Sequence, residues 1–163
     1  MNLLDLFLSL GYSYQEYNTI RSKIELSDSV LYNYVKNNYE WFLGIYNKKS
    51  IIKMTVSYPL LYTLGVSNMQ EKINALIKLG YTKSEVIKIT KVNPSLYGYS
   101  VDTINDKMQY MINLGYSRED VIKMTKIQPA IWGYDKESIS NKLNFIVCLF
   151  GLHSSYKFPS IFK

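Results

Sequence analysis

The sequence has only one cysteine, Cys148, and one histidine, His153. These counts exclude a disulfide within the chain and a Cys/His metal site, and His153 has no acid or nucleophile close to it in sequence. Cys148 lies in an apolar run, which favours a buried, inert thiol. No phosphate loop of the G-x-x-x-x-G-K type occurs either. We therefore predict a protein that is not an enzyme and that holds no metal or cofactor.

Long hydrophobic runs are also lacking. Residues 1–13 include about eight largely apolar positions with no basic segment ahead of them, which is too short and wrongly flanked for a signal peptide. No stretch approaches the length of a membrane span, and no Arg- and Ser-rich transit peptide is evident. We expect a soluble, intracellular monomer that does not associate with membranes and that lies in the cytoplasm, with an organelle as the alternative location.

Proline and glycine are scarce, with four and eight residues, and both recur at regular intervals. Each boundary glycine follows an apolar residue that ends a periodic run, where glycine can adopt the left-handed conformation that closes a helix. The boundary glycines are Gly11, Gly44, Gly80, Gly115 and Gly151. Pro59, Pro94 and Pro129 stand 35 residues apart, and each predicts a helix end followed by a 3₁₀ turn.

A period of 35 residues relates segment 80–114 to segment 115–149, with glycine, proline, lysine and apolar positions in register. Such a period is typical of stacked supersecondary units. Each repeat is predicted to contain a first helix of about ten residues, a 3₁₀ turn and a second helix of about fourteen. The predicted fold class is all-α, a right-angled helix-repeat solenoid.

We predict a single solenoid domain over residues 1–163. Residues 1–43 form a degenerate first repeat without proline, and their acidic balance suggests a cap over the end of the stack. The following repeats are residues 44–79, 80–114 and 115–150, and residues 151–163 form a C-terminal tail.

Capping patterns mark the predicted helix starts. Capping boxes are predicted at Ser13–Glu16, Thr82–Glu85 and Ser67–Gln70, with a near match at Ser117–Asp120 and a capping serine at Ser100. Bulky residues three, ten and seventeen positions beyond each proline are predicted to pack within and between repeats. They are Tyr62, Met69 and Leu76, then Tyr97, Ile104 and Met111, and then Trp132, Ile139 and Ile146.

A proline followed by bulky residues at those positions, in consecutive repeats, resembles the mitochondrial transcription termination factor (mTERF) family. The match covers residues 44 to about 152 well and the first repeat weakly. The resemblance implies a left-handed superhelix shaped like a half-doughnut, with a basic concave groove. It also implies binding to double-stranded DNA or structured RNA in organellar transcription, ribosome assembly or splicing. Family members usually have more repeats than this chain.

The net charge of +6 is unevenly distributed. Residues 1–43 contain three basic and five acidic residues, whereas the remainder of the chain contains 16 basic and 8 acidic ones. Positive charge therefore belongs to the repeats, as expected if they face a polyanion. A plainer interpretation is that the lysines only solvate helix surfaces.

Basic residues recur with the period of the repeat, so stacking would align them in rows able to follow a phosphate backbone. The row on the first helices contains Lys53, Lys88 and Lys123, and Lys91 with Lys126 extends it. The row at the helix starts contains Lys48, Lys83 and Arg118. The row on the second helices contains Lys72, Lys107 and Lys142.

These rows are not equivalent. Lys88 and Lys91 have no acid on their helix face, which favours a ligand. Lys83 and Arg118 stand close to first-turn acids, where an exposed ion pair is the simpler explanation. Lys107 borders the apolar stripe of its helix, and it either reaches into the groove or pairs with an acid of another repeat.

The 16 tyrosines could stack on bases, but their positions favour packing. Tyr58, Asn93 and Gln128, immediately before each proline, are polar and flanked by lysines, and we consider them candidates for base contacts.

Two functions remain open. The first is a nucleic-acid-binding helical-repeat protein that contacts the phosphate backbone of double-stranded DNA or structured RNA, in transcription regulation or RNA metabolism. The alternative is a non-catalytic scaffold or adaptor subunit that holds a protein partner.

Overall fold

The computed structural model describes residues 2–142. Over this range the chain is helical and contains no strand, so the all-α prediction is confirmed. The α-helices are α1 (Leu3–Leu10), α2 (Tyr14–Arg21), α3 (Asp28–Leu43), α4 (Lys48–Ser57), α5 (Val66–Lys78), α6 (Lys83–Val92), α7 (Val101–Asn113) and α8 (Arg118–Ile127). The 3₁₀ turns are Pro59–Thr63, Pro94–Gly98 and Pro129–Gly133. Residues 136–142 are also helical.

Predictions for the end of the fourth repeat and for the tail, which include Ile146, Cys148, Gly151 and His153, lie outside the described residues.

Equivalent elements of successive repeats pack against one another. One row consists of the first helices α2, α4, α6 and α8, and a second row consists of α1, α3, α5 and α7. The three 3₁₀ turns form a third row. This arrangement of two helices and one 3₁₀ turn per repeat is the solenoid that the period predicts. In the first repeat, residues 22–27 replace the 3₁₀ turn.

Most of the predicted helix caps form. Ser13–Glu16 and Thr82–Glu85 are complete capping boxes, and the hydroxyls of Ser100 and Ser117 each accept a backbone N–H bond. The predicted capping box at Ser67–Gln70 is wrong. Helix α5 begins at Val66 after Gly65, which has no side chain to cap it. Ser67 therefore lies inside the first turn, and its own backbone is already helical.

The boundary glycines differ from one another. Left-handed φ values occur at Gly11 (99°), Gly80 (114°) and Gly115 (100°). The prediction is wrong for Gly44, which is right-handed with φ of −70°. The second repeat has one additional residue, Ile45, before its tyrosine, and the N–H groups of Ile45 and Tyr46 both bond to the carbonyl oxygen of Phe42. This longer turn reverses the chain without a left-handed residue.

The bulky residues after each proline are buried as predicted. Tyr62, Tyr97 and Trp132 are almost completely inaccessible, and the same is true of Met69, Leu76, Ile104, Met111 and Ile139. They belong to one continuous apolar core that extends across all the repeats. Each repeat is therefore stabilised mainly by its neighbours.

Buried hydroxyl groups also link successive repeats. The Tyr46 hydroxyl lies 2.6 Å from that of Thr90 and 2.7 Å from that of Tyr97. The Tyr12 hydroxyl makes the equivalent bonds to Thr55 and Tyr62. Tyr81 bonds to Thr125 in the same way. Burial raises the pKa of each of these tyrosines, so they remain neutral hydrogen-bonding groups.

Candidate nucleic-acid interface

The row of first helices carries most of the positive charge. Helices α4, α6 and α8 together contain nine basic and three acidic residues, whereas α3, α5 and α7 contain four basic and five acidic ones. The first helices pack consecutively, so positive charge recurs from helix to helix along this row. Because a nucleic acid presents a line of phosphates, this row is the candidate interface.

Lys53, Lys88 and Lys123 occupy the same position on α4, α6 and α8, and all three are exposed. Each stands opposite the buried residues of its own helix, such as Val86 and Ile89 on α6. The 3.6-residue period of a helix therefore directs these lysines outward. Equivalent lysines thus stand on the exposed side of three helices that pack in succession.

Helix α8 is joined to α6 by an ion pair between repeats. The ammonium of Lys126 lies 2.6 Å from a carboxylate oxygen of Glu85. The other carboxylate oxygen of Glu85 accepts the backbone N–H of Thr82. The hydrogen bond from Lys126, together with this backbone bond, lowers the pKa of Glu85 to about 2. The sequence did not indicate this pair, because its partners are 41 residues apart.

The other cations of α8 also have partners. Lys123 lies 3.9 Å from Asp120 on the same helix. The guanidinium of Arg118 donates to the carbonyl oxygen of Leu79 at 3.3 Å, at the end of α5. The exposed ion pair expected for Arg118 is therefore replaced by a hydrogen bond to the backbone of the preceding repeat.

The lysines of α4 and α6 differ from those of α8. Lys53, Lys83, Lys88 and Lys91 are exposed, and none forms an ion pair with any of residues 2–142. Lys83 was expected to pair with Glu85, but that carboxylate bonds to Lys126 instead. The unpaired charge of the row is thus concentrated on the first helices of the second and third repeats.

The predicted row on the second helices has mainly structural contacts. The ammonium of Lys107 donates to the carbonyl oxygens of Trp132 at 2.6 Å and Tyr134 at 2.8 Å, in the next repeat. Burial lowers the pKa of Lys107. The Asn38 amide makes the equivalent bonds at 3.0 and 2.9 Å to the carbonyl oxygens of Leu61 and Leu64. These donors therefore anchor the 3₁₀ turn of the following repeat.

Lys72 and Lys142 complete that row. The side chain of Lys72 is only 13% exposed, and its ammonium lies 3.5 Å from Glu71. The ammonium of Lys142 lies 4.3 Å from the centre of the Tyr134 ring, which is cation–π geometry. Lys72 and Lys142 therefore have partners within the protein, whereas Lys53, Lys83, Lys88 and Lys91 have no ion pair among residues 2–142.

The residues before the prolines have different environments. The Asn93 amide donates to the carbonyl oxygen of Pro129 at 2.9 Å, and its oxygen accepts the hydroxyl of Ser95. Tyr58 is half-buried and packs against Gly98 of the next turn. Gln128 is exposed. Of the three candidates for base contacts, Gln128 is thus the one whose side chain is exposed.

A cleft of about 700 Å³ lies between α2 and α4. It is lined by Glu16 and Val56, and by the lysines at positions 48, 49 and 53. Lys49 was not among the predicted contacts because the equivalent positions in the next repeats are Ser84 and Glu119. Lys49 stands four residues before Lys53, and this spacing places both lysines on the same face of α4. The spacing could have added Lys49 to the predicted contacts.

Residues 2–142 contain no group of three or more His, Cys, Asp or Glu side chains that could hold a metal ion. Within the same range, no helix is both long and apolar enough to span a membrane.

A family model described as mTERF matches residues 5–163, which is nearly the whole chain. A search of curated proteins found no match.

Proposed function

The chain belongs to the mTERF family, and on that premise we propose that it binds nucleic acid through its row of first helices. The family indicates a non-catalytic, nucleic-acid-binding helical-repeat protein. In our proposal, Lys53, Lys88 and Lys91 contact phosphate groups, with Lys123 at the edge of the footprint. The ligand is double-stranded DNA or structured RNA, and the process is transcription regulation or RNA metabolism.

The segregation of charge is the observation that carries this proposal. Positive charge is concentrated on α4, α6 and α8, while the second helices are close to neutral. Lysines whose only role is to keep the protein hydrated would be distributed over the first and second helices alike. A one-sided distribution is typical of a surface that binds a polyanion.

The absence of ion pairs at Lys53, Lys88 and Lys91 within the described chain supports the same surface. A lysine that already holds a carboxylate must exchange it for a phosphate, which reduces the gain on binding. An unpaired lysine contributes the full release of counterions from the nucleic acid.

Binding of a fluorescent 20-base-pair duplex, measured by anisotropy in DNA and RNA forms, tests the proposal. We expect a dissociation constant of about 1 µM or lower at low salt, and a steep loss of affinity as salt rises. A triple variant, Lys88→Glu, Lys91→Glu and Lys123→Glu, should abolish the complex. The control variant changes Lys23, Lys36 and Lys78 to Glu, because these exposed lysines lie outside the row of first helices.

Failure to bind either duplex at low salt would contradict the proposal. In that case a specific protein that co-purifies with the chain would support the alternative function of a scaffold or adaptor. Equal weakening by the two triple variants would show that only net charge matters, and that the row of first helices is not the interface.

A further inference from the structure

The ion pair between Lys126 and Glu85 occupies one junction of the row, between α6 and α8. The same positions in the preceding junction, between α4 and α6, are Lys91 and Ser50, which are also 41 residues apart. The two junctions share their geometry, because the buried hydroxyl bonds Tyr46–Thr90 and Tyr81–Thr125 both span 44 residues. By the period of the repeat, Ser50 is to Lys91 what Glu85 is to Lys126.

This junction has the lysine of the ion pair but lacks its carboxylate. Helix α4 contains three lysines and no acid. Lys53 and Lys88 lie on the outward face of the two helices that form the junction, and both are exposed. Lys53 lines the cleft on the other side of α4, between α2 and α4. The junction between α4 and α6 therefore carries two exposed cations of α6, Lys88 and Lys91, and neither has an ion pair among residues 2–142.

The junction between α2 and α4 differs at both of these positions, although Lys48, Lys49 and Lys53 also line its cleft. Its acid, Glu16, is present and accepts the backbone N–H and the hydroxyl of Ser13. At the position of Lys91 and Lys126 it has Val56. At these two positions the three junctions thus have a glutamate with a valine, a serine with a lysine, and a glutamate with a lysine.

We propose that the junction between α4 and α6 is a binding site for one phosphodiester group. Lys91, with Lys88 one turn before it, holds the phosphate in the place that the Glu85 carboxylate occupies beside Lys126. This inference rests on the proposed nucleic-acid function and assigns the centre of its footprint to the second and third repeats. Lys126, which is already paired, contributes little to binding.

The variant Ser50→Glu tests the site without weakening the fold. Ser50 is the third residue of α4, and its N–H bonds to the side chain of the capping residue Asn47 at 2.9 Å. A glutamate there completes a capping box and supplies the carboxylate that Lys91 lacks. We expect about tenfold weaker binding of the 20-base-pair duplex near 0.1 M salt, and a salt slope smaller by about 0.9.

Two control variants separate the site from general charge effects. Ser50→Gln also completes the capping box but adds no charge, so its affinity should equal that of the unaltered protein. Thr103→Glu adds the same charge and completes the equivalent box with Ser100, on a second helix. It should weaken binding less than twofold.

Glu85→Gln is the reciprocal experiment. It releases Lys126, so binding should tighten by about tenfold and the salt slope should increase by about 0.9. The inference is overturned, with the proposed function intact, if Ser50→Glu binds as well as the unaltered protein, or if Thr103→Glu weakens binding equally. If the unaltered protein binds neither the DNA nor the RNA duplex at low salt, the proposed function itself fails, and this site fails with it.

Discussion

The Lys126 ammonium and the Glu85 carboxylate meet at 2.6 Å across the junction between α6 and α8. The same carboxylate caps α6 through the backbone N–H of Thr82. Glu85 therefore caps the N-terminus of α6 and also connects two repeats. Its pKa of about 2, below the ordinary value of 4.5, reflects first the bond to Lys126 and then the bond to the backbone.

The first prediction concerns acid stability. Because the folded state lowers the pKa of Glu85, its contribution is fully present above about pH 4.5 and is lost as the pH falls towards 2. Urea unfolding of the unaltered protein and of Glu85→Gln should differ at pH 6 and converge between about pH 4.5 and 2. Lys126→Met leaves the charged Glu85 carboxylate on the N–H of Thr82. At pH 6 its unfolding free energy should therefore differ less from that of the unaltered protein than the free energy of Glu85→Gln does. A constant difference down to pH 2 would contradict this assignment.

The second prediction compares two boundary glycines. Gly80 has φ of 114°, and an added Cβ would lie 3.0 Å from the side chain of Ile122. Gly80→Ala should therefore lower the free energy of unfolding by at least about 1–2 kcal/mol. Gly44 is right-handed, so Gly44→Ala should cost less, although its Cβ would lie 3.3 Å from the carbonyl oxygen of Trp41. Urea unfolding measures both free energies. Equal losses for the two variants would contradict the view that the additional residue Ile45 removes the need for a left-handed glycine at position 44.

The third prediction tests the buried hydroxyl bonds. Thr90→Val removes a partner of the Tyr46 hydroxyl, which is left with Tyr97 alone. The expected loss is about 1–3 kcal/mol of unfolding free energy. Thr19→Val is the matched control, because Thr19 also bonds to the carbonyl four residues earlier but is exposed. Its effect should stay within about 0.5 kcal/mol, and similar losses for the two variants would contradict a role for the link between repeats.

The fourth prediction concerns the lysine that anchors the last described 3₁₀ turn. Lys107→Met removes two hydrogen bonds from an ammonium group to Trp132 and Tyr134. We expect a loss of about 1.5–3 kcal/mol in unfolding free energy, the range for hydrogen bonds to charged groups. Lys36→Met, at an exposed position of α3, is the control.

Duplex binding by folded Lys107→Met should equal that of the unaltered protein. If Lys107→Met binds the duplex more weakly but is as stable as the unaltered protein, Lys107 contacts the nucleic acid and the structural assignment is wrong.

Much of the fold could be predicted from the sequence, because its signals are local. Proline removes a backbone N–H and clashes with the preceding turn, so it interrupts the helix that precedes it, and the 35-residue period aligns Pro94 with Pro129 without any knowledge of tertiary contacts. The errors occurred where one residue changes the local path of the chain. Ile45 lengthens the turn after Gly44, and α5 begins at Val66, ahead of the predicted cap.

The candidate site was less predictable. The period aligned Lys91 with Lys126 and made them equivalent, yet only Lys126 has a carboxylate within reach. The sequence predicted that Lys107 either reaches into the groove or pairs with an acid of another repeat, whereas its ammonium bonds to carbonyl oxygens 25 and 27 residues away. Pairing between distant residues depends on how the repeats are offset when they stack, and the period alone does not contain that offset.

The sequence by itself determined the helices, most of their ends and the buried positions, because these follow from backbone chemistry and from the spacing of apolar residues along a helix. It also determined that positive charge belongs to the repeats. Only the tertiary structure decided which charges remain unpaired. Stacking places Glu85 beside Lys126, because a Coulomb interaction depends on distance in space and not on separation along the chain. Lys91 has no ion pair among residues 2–142.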